Sequence, residues 1–163
     1  MSYRVGQGFD AHRLVAGRPL RLGGVNVPYE RGLEGHSDGD CLVHAVCDAL
    51  LGAAAAGDMG ERFPSSDPRW KDASGQVFLA EVRRLIASRG FVLANLDATV
   101  IAQEPALAGH LEAMRQELAA GLGVAKDVVS VKAKSSDRLG AVGRGEGIAA
   151  QAVALLRREA ARP

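Results

Sequence analysis

Residues 3–12 set β-type side chains among glycines, a pattern that predicts a first strand ending in polar residues. Residues 18–29 predict a hairpin, in which Gly23-Gly24 supplies the positive φ of a tight turn. The polar, glycine-containing stretch 30–37 reads as a mobile loop. A run rich in Leu, Val and Ala from about Ser37 to Ala56 predicts a helix, with Ser37 or Asp38 as its cap and Gly57 closing it. A second helix is predicted from Ser74 to Arg89, stopped by Gly90, then a strand from Phe91 to Ala102. A third helix follows over Ala106 to Gly121 and a short β-branched strand over Val128 to Ala133. The tail, Gly147 to Arg158, is divided: its alanines favour helix, yet Ile148, Ala150, Ala152, Ala154 and Leu156 follow a two-residue period. Strands alternating with helices predict an α/β sandwich, and 163 residues suit one domain spanning 1–163.

Composition narrows the classes of function. Apolar residues at 47% and charged residues at 24% give the balance of a globular protein. A net charge of +1 provides no general attraction to nucleic acid or membrane, so any phosphate recognition must be local. With 4% aromatic residues, a base-stacking platform is not expected. The N-terminus carries no apolar core of a secretory signal, and no apolar run is long enough for a bilayer. Cys41 and Cys47 stand about 120° apart around a predicted helix, so they cannot pair within it. Both are expected to be reduced, and the protein cytoplasmic.

Asp10-Ala-His12 is a pair two residues apart, which on a strand places carboxylate and imidazole on one face. His44 lies inside the first predicted helix, with Asp40 and Asp48 one turn away on either side. One carboxylate and two imidazoles suit zinc, and three protein ligands leave an open fourth position. Asp40 or Asp48 is then expected to orient an imidazole through its other nitrogen.

Phosphate-binding features surround these residues. His36-Ser37 is expected at the start of the His44 helix, where free N–H groups favour anions, although Ser37 as a plain cap explains it equally. The segment Lys132 to Arg138 combines cations, hydroxyls and Asp137 after a strand, which suits phosphate oxygens and a hard ion; a solvated turn has the same composition. Gly143-Arg144-Gly145-Glu146-Gly147 adds an arginine-bearing loop. The glycine runs match neither a P-loop nor a dinucleotide fingerprint.

Five motifs, in order, carry a family resemblance: G-x-G-x-D-x-H (Gly6 to His12), H-S-D-G-D-x-x-x-H-A-x-x-D-A-L-L-G-A-A (His36 to Ala54), G-D-x-G-x-x-F-P (Gly57 to Pro64), A-Q-x-P (Ala102 to Pro105) and G-R-G-E-G-I-A (Gly143 to Ala149). Nearly end to end, the chain resembles the 2-C-methyl-D-erythritol 2,4-cyclodiphosphate synthases of the non-mevalonate isoprenoid route. That resemblance implies attack of a 2-phosphate on the β-phosphate of cytidine diphosphate-linked methylerythritol, with release of CMP. It implies zinc on Asp10, His12 and His44. Substrate contacts are implied from His36, Ser37, Asp58, Met59 and Gly60, and from Phe63, Pro64, Ser65, Ser66 and Asp67. Cytosine is implied to lie against Ala102, Gln103, Glu104, Pro105, Ala106, Leu107 and Ala108. Lys134, Ser135, Ser136 and Asp137 are implied to hold the diphosphate, Asp137 with Mg²⁺ or Mn²⁺. His36 and Ser135 match positions that stabilise the transition state, and Arg144 matches a trimer-axis position. The implied fold is a two-layer sandwich: a mixed four-stranded sheet with helices on one face and a small hairpin. Three copies assemble as a homotrimer with active sites between subunits, and the tail becomes a strand.

This chain departs from the family pattern at four places. Ala106 stands where a lysine is frequent, Asp137 replaces a glutamate, Lys134-Ser135 replaces a threonine pair, and Ala141 replaces an aromatic. Two other functions fit the bare residues. One is a zinc phosphohydrolase, for which Asp48 is the available general base. The other is a nucleotide-binding module with a structural metal.

Overall fold

The computed structural model describes residues 2–159. Strand β1 (Tyr3–Ala16) runs on well past His12. Strands β2 (Leu20–Leu22) and β3 (Val25–Val27) form the expected hairpin, and both turn glycines take positive φ, 59° and 80°. The segment expected to be a mobile loop instead contributes β4 (Arg31–Leu33), paired with the far end of β1. Arg18 fastens the bend beyond it, donating to the carbonyls of Gly35 (2.9 Å) and Ser37 (2.7 Å). Carbonyls that a free loop would leave to water are thereby taken up within the fold.

Helix α1 (Cys41–Ala53) is the centre of the core, and it starts later than Ser37. Neither Ser37 nor Asp38 caps it; Asp40 does, accepting from the amide of Val43 at 3.0 Å. The same carboxylate accepts from the amides of Gly23 (2.9 Å) and Gly24 (2.7 Å), so it ties the hairpin turn to the helix. Asp40 is fully buried, and burial pushes its carboxyl up although the three amides pull it down. The helix ends at Ala53, before Gly57. Its residues are buried on almost every side, as a helix between a sheet and other helices requires. Cys41 and Cys47 are among them, both free and buried.

After the single turn α2 (Met59–Arg62) comes α3 (Gly75–Ser88), where Asp38 accepts from the amide of Gly75 at 2.8 Å. Strand β5 (Phe91–Ile101), helix α4 (Leu111–Leu122) and β6 (Val129–Lys134) form a parallel crossover unit. Helix α4 begins five residues later than the expected Ala106, behind a 3-10 turn at Ala108–His110. A further turn, α5 (Gly140–Gly143), leads into β7 (Gly147–Arg158).

The main sheet is mixed, in the order β4-β1-β7-β5-β6, with β2 and β3 forming a separate pair. It has five strands rather than the expected four because β4 adds a short edge. The tail is a strand despite its alanines: β7 lies between β1 and β5, bonded antiparallel to both. Its even positions from Ile148 to Leu156 are buried toward the helices, so two ladders override local propensity. Small residues on the neighbouring β1 let the helix approach the sheet. A Cβ on Gly6 would stand 2.1 Å from the carbonyl oxygen of Ala49, and one on Gly8 would stand 2.0 Å from that of Ala45. Helix α1 therefore rests directly on the backbone of β1. The opposite sheet face exposes Tyr3, Val5, Phe9 and Val153. No helix among the described residues is long and apolar enough to cross a membrane.

Candidate metal centre and active site

Close packing of α1 on β1 brings His44 down onto Asp10 and His12. Asp10 Oδ2 lies 2.8 Å from His12 Nε2 and 2.9 Å from His44 Nδ1, and the two nitrogens are 3.4 Å apart. Among the described residues this is the one group of three His, Cys, Asp or Glu side chains able to meet at an ion. Tetrahedral zinc with bonds of 2.0–2.1 Å separates its ligands by about 3.3 Å. The triangle present is close to that, slightly contracted, so small outward shifts of the side chains suffice.

Each imidazole is held by its other nitrogen. The carbonyl of Glu34 accepts from His12 Nδ1, and Ser37 Oγ lies 3.2 Å from His44 Nε2. The Glu34 carbonyl selects the His12 tautomer that presents Nε2 to an ion, and Ser37, whose hydroxyl both donates and accepts, meets His44 on the nitrogen that faces away from Asp10. The expected orienting carboxylates do something else. Asp40 is the helix cap, and Asp48 accepts from the amide of Met59 at 2.7 Å, holding α2 against α1. Of the N-terminal amides of α1, that of Val43 donates to the Asp40 carboxylate, and His36-Ser37 sits in the bend before the helix.

Charge in the site matches its geometry. Burial alone would push the Asp10 carboxyl up, but hydrogen bonds from His12 and His44 outweigh it and hold the group well below the usual range. The Asp10 hydrogen bond raises the His12 imidazole against the opposing effect of burial. A partly buried carboxylate that stays ionised between two imidazoles is a ready divalent-ion site.

Beside the triad opens a cavity of about 310 Å³. Of the residues expected at a substrate site, His36, Ser37, Met59, Gly60, Phe63 and Ser65 line it together with His12 and His44. Asp58 caps α2, accepting from the amide of Glu61 at 2.8 Å. The carbonyl of Pro64 accepts from the amide of Asp67, and Asp67 pairs with Arg69 at 2.6 Å, which lowers its carboxyl. Exposed Ser66 lies between them in the same loop. Trp70 and Phe78 also line the cavity, and sequence reasoning did not select them. Phe78 reads simply as an apolar position of a helix, and Trp70 as one aromatic in a turn.

The second group of expected residues stands elsewhere on the chain. Lys134 pairs with Ile101, Ile101 with Ala149, and Ala149 with Ala11. Three strand spacings, about 14 Å, therefore separate the end of β6 from β1. The segments Ala102–Ala108 and Lys134–Asp137 adjoin one another at the ends of the parallel strands. The amide of Ala102 donates to the carbonyl of Lys134, and Gln103 Oε1 accepts from the amide of Arg138. Ala102 and Leu107 are buried, and Glu104 Oε2 lies 3.5 Å from the hydroxyl of Tyr29, with Pro105, Ala106 and Ala108 completing the loop. Asp137 and Arg138 both take left-handed backbone, φ 52° and 61°, leaving Ser135 and Asp137 exposed. Ser136 Oγ is buried without a hydrogen-bond partner. Arg144 pairs with Glu146 at 2.6 Å. Within one chain, the triad with its cavity and the loops beyond β5 and β6 thus stand apart.

The YgbB family model matches residues 3–157. The chain belongs to the YgbB family. Within this family, it is 56% identical over 161 residues to the 2-C-methyl-D-erythritol 2,4-cyclodiphosphate synthase of Burkholderia thailandensis, covering 99% of each chain. The enzyme of that name from Burkholderia pseudomallei matches with the same identity and coverage. Among solved structures, a CDP-bound form of such a synthase superposes with TM-score 0.87 at 39% identity, covering 94% of this chain and 100% of that one. A CDP complex of IspF from Plasmodium falciparum gives 0.86 at 30% identity, with 98% of both chains covered. The bifunctional IspDF of Campylobacter jejuni gives 0.93 at 38% identity; 96% of this chain corresponds to 42% of that larger one.

Proposed function

We propose that this YgbB-family chain converts 4-diphosphocytidyl-2-C-methyl-D-erythritol 2-phosphate into 2-C-methyl-D-erythritol 2,4-cyclodiphosphate and CMP. The observation that carries this reading is the Asp10-His12-His44 triangle opening onto a cavity, in a chain 56% identical to synthases of that name. In the reaction, an oxygen of the 2-phosphate forms a bond to the β-phosphorus. The bond from that phosphorus to the bridging oxygen breaks, and the oxygen leaves with the α-phosphate as CMP. A phosphate oxygen is already anionic, so positioning and charge neutralisation supply most of the acceleration.

Asp10, His12 and His44 would hold one zinc ion per subunit, which when bound supplies Lewis-acid neutralisation of a phosphate oxygen. Ser37 and the Glu34 carbonyl orient the two imidazoles. His36, Ser37, Asp58, Met59 and Gly60, with the Phe63 to Asp67 loop, enclose the methylerythritol phosphate. His36 and Ser135 stabilise the pentavalent phosphorus. Ala102 to Ala108 receive the cytosine, largely through backbone groups. Lys134 to Asp137 hold the diphosphate, and Asp137 would hold a Mg²⁺ or Mn²⁺ ion, which when bound supplies charge neutralisation there.

Read as two half-sites, the triad and the distant loops support a homotrimer in which the triad of one subunit meets the 102–108 and 134–137 loops of the next. The exposed sheet face with Tyr3, Val5, Phe9 and Val153 supports such an assembly, because contiguous apolar surface of this kind marks interfaces. In it, Arg144 stands toward the axis. We place the enzyme in the cytoplasm, in keeping with its free cysteines. The phosphohydrolase alternative is disfavoured because Asp48, its available base, is engaged by the amide of Met59. The test is to incubate the protein with the cytidylated substrate and identify the products. A cyclic diphosphate with CMP supports the synthase; a linear phosphate would replace it with the hydrolase.

A further inference from the structure

Behind His44 stands an aromatic cluster of which the chemistry above uses Phe63 alone. Phe78, on α3 and 2% exposed, meets the His44 ring edge-on, with centroids 5.8 Å apart and planes at 77°. Phe63 packs on Phe78 at 5.1 Å, and Trp70 reaches both, 5.0 Å from Phe63 and 5.8 Å from Phe78. Four phenylalanines and one tryptophan occur in the whole chain, and two of those phenylalanines and the tryptophan gather at this wall. Phe63 and Trp70 lie on the segment between α2 and α3, while His44 lies on α1.

Hydrogen bonding alone does not fix this ligand. Ser37 meets Nε2 and Asp10 meets Nδ1, and because the second torsion of a histidine is broad, packing against the ring adds to what these two contacts fix. An edge-to-face contact supplies the missing restraint, since such pairs have preferred orientations and resist sliding. Any change of tilt on ion binding passes into Phe78, and from Phe78 into Phe63 and Trp70.

We infer that Phe78 is a positioning residue for His44, and that the Phe63–Trp70–Phe78 cluster couples occupancy of the metal centre to the packing of the 58–73 segment over the cavity. This inference rests on the metal reading of Asp10, His12 and His44. It assigns the segment a task beyond enclosing substrate: it reports, and reinforces, the presence of the ion.

The test uses the full chain freed of metal. Cobalt(II) absorption measures affinity, and Zn²⁺, a closed-shell ion that brings no quenching of its own, is used to follow Trp70 emission. Emission should change with Zn²⁺ and saturate at one equivalent. Phe78→Ala should weaken cobalt binding about tenfold, the lower range for partners of metal ligands, and abolish the emission change. Phe78→Leu, which refills the volume, should restore most of the affinity. Flat emission while cobalt binding saturates, or unaltered affinity in folded Phe78→Ala, would overturn the inference and leave the metal reading intact. Should Phe78→Ala not fold, the emission titration of the unsubstituted protein decides alone. Absence of any cobalt band would overturn the metal reading and the inference together.

Discussion

His44 Nδ1 lies 2.9 Å from Asp10 Oδ2, although the two residues are 34 apart in sequence. One comes from the central helix and the other from the strand on which it rests. The contact exists because glycines at positions 6 and 8 let the helix settle onto the strand backbone.

Removing His44 tests whether the centre is built for chemistry or for stability. His44→Ala should lose tight binding of zinc and all turnover, yet keep its fold, because α1 is anchored by its apolar neighbours. Circular dichroism with metal analysis reads both. Unfolding of this variant would favour a structural metal instead.

Gly8→Ala probes the same contact from the strand. The added Cβ would meet the carbonyl of Ala45 at 2.0 Å, and backbone cannot step aside as a side-chain tip can. A loss of about 3 kcal/mol is expected, the upper part of the usual overpacking range. That corresponds to roughly 6–12 °C in Tm for a chain of this size. Metal affinity should fall with it, since the helix carrying His44 is lifted.

Much of this arrangement is legible in the sequence, and the limits have identifiable causes. The spacing of Asp10 and His12 puts them on one strand face, a weak signal that the neighbouring motifs strengthen, and Gly23-Gly24 shows by turn chemistry. The strand nature of residues 147–158 is visible in its period but opposed by alanine propensity; only the two flanking strands resolve it. The start of α1 is ambiguous in the sequence because Ser37, Asp38 and Asp40 are all cap-forming residues, and the hairpin amides that select Asp40 come from far along the chain. Glu34 carries no sequence signal because its backbone carbonyl, rather than its side chain, holds His12. Phe78 and Trp70 became site residues only through tertiary packing.

Asp48 separates the synthase from the hydrolase. Burial pushes its carboxyl above the ordinary range, with the Met59 amide opposing. The folded protein therefore binds this proton more tightly than the unfolded chain. Its contribution to stability falls as pH rises from about 4 through the folded value. Asp48→Asn keeps an oxygen for the Met59 amide, so it should retain cyclisation and flatten that part of the pH–stability curve. Thermal unfolding across pH 4–7, alongside product assays, checks both; loss of activity with stability intact would point to a catalytic base.

Assembly has its own test. Phe9→Glu places a charge on the exposed sheet face, away from the metal triad. It should convert a trimer into monomers that still bind zinc but release no CMP, as read by light scattering and metal analysis. A monomer with full activity would refute a site shared between subunits.

The most direct measurement is phosphorus NMR of the cytidylated substrate incubated with the protein, before and after chelation and with zinc restored. Stoichiometric cyclic diphosphate and CMP are expected, abolished by chelation and recovered with zinc. Full turnover in rigorously metal-free protein, or a linear phosphate product, would contradict metal-assisted cyclisation.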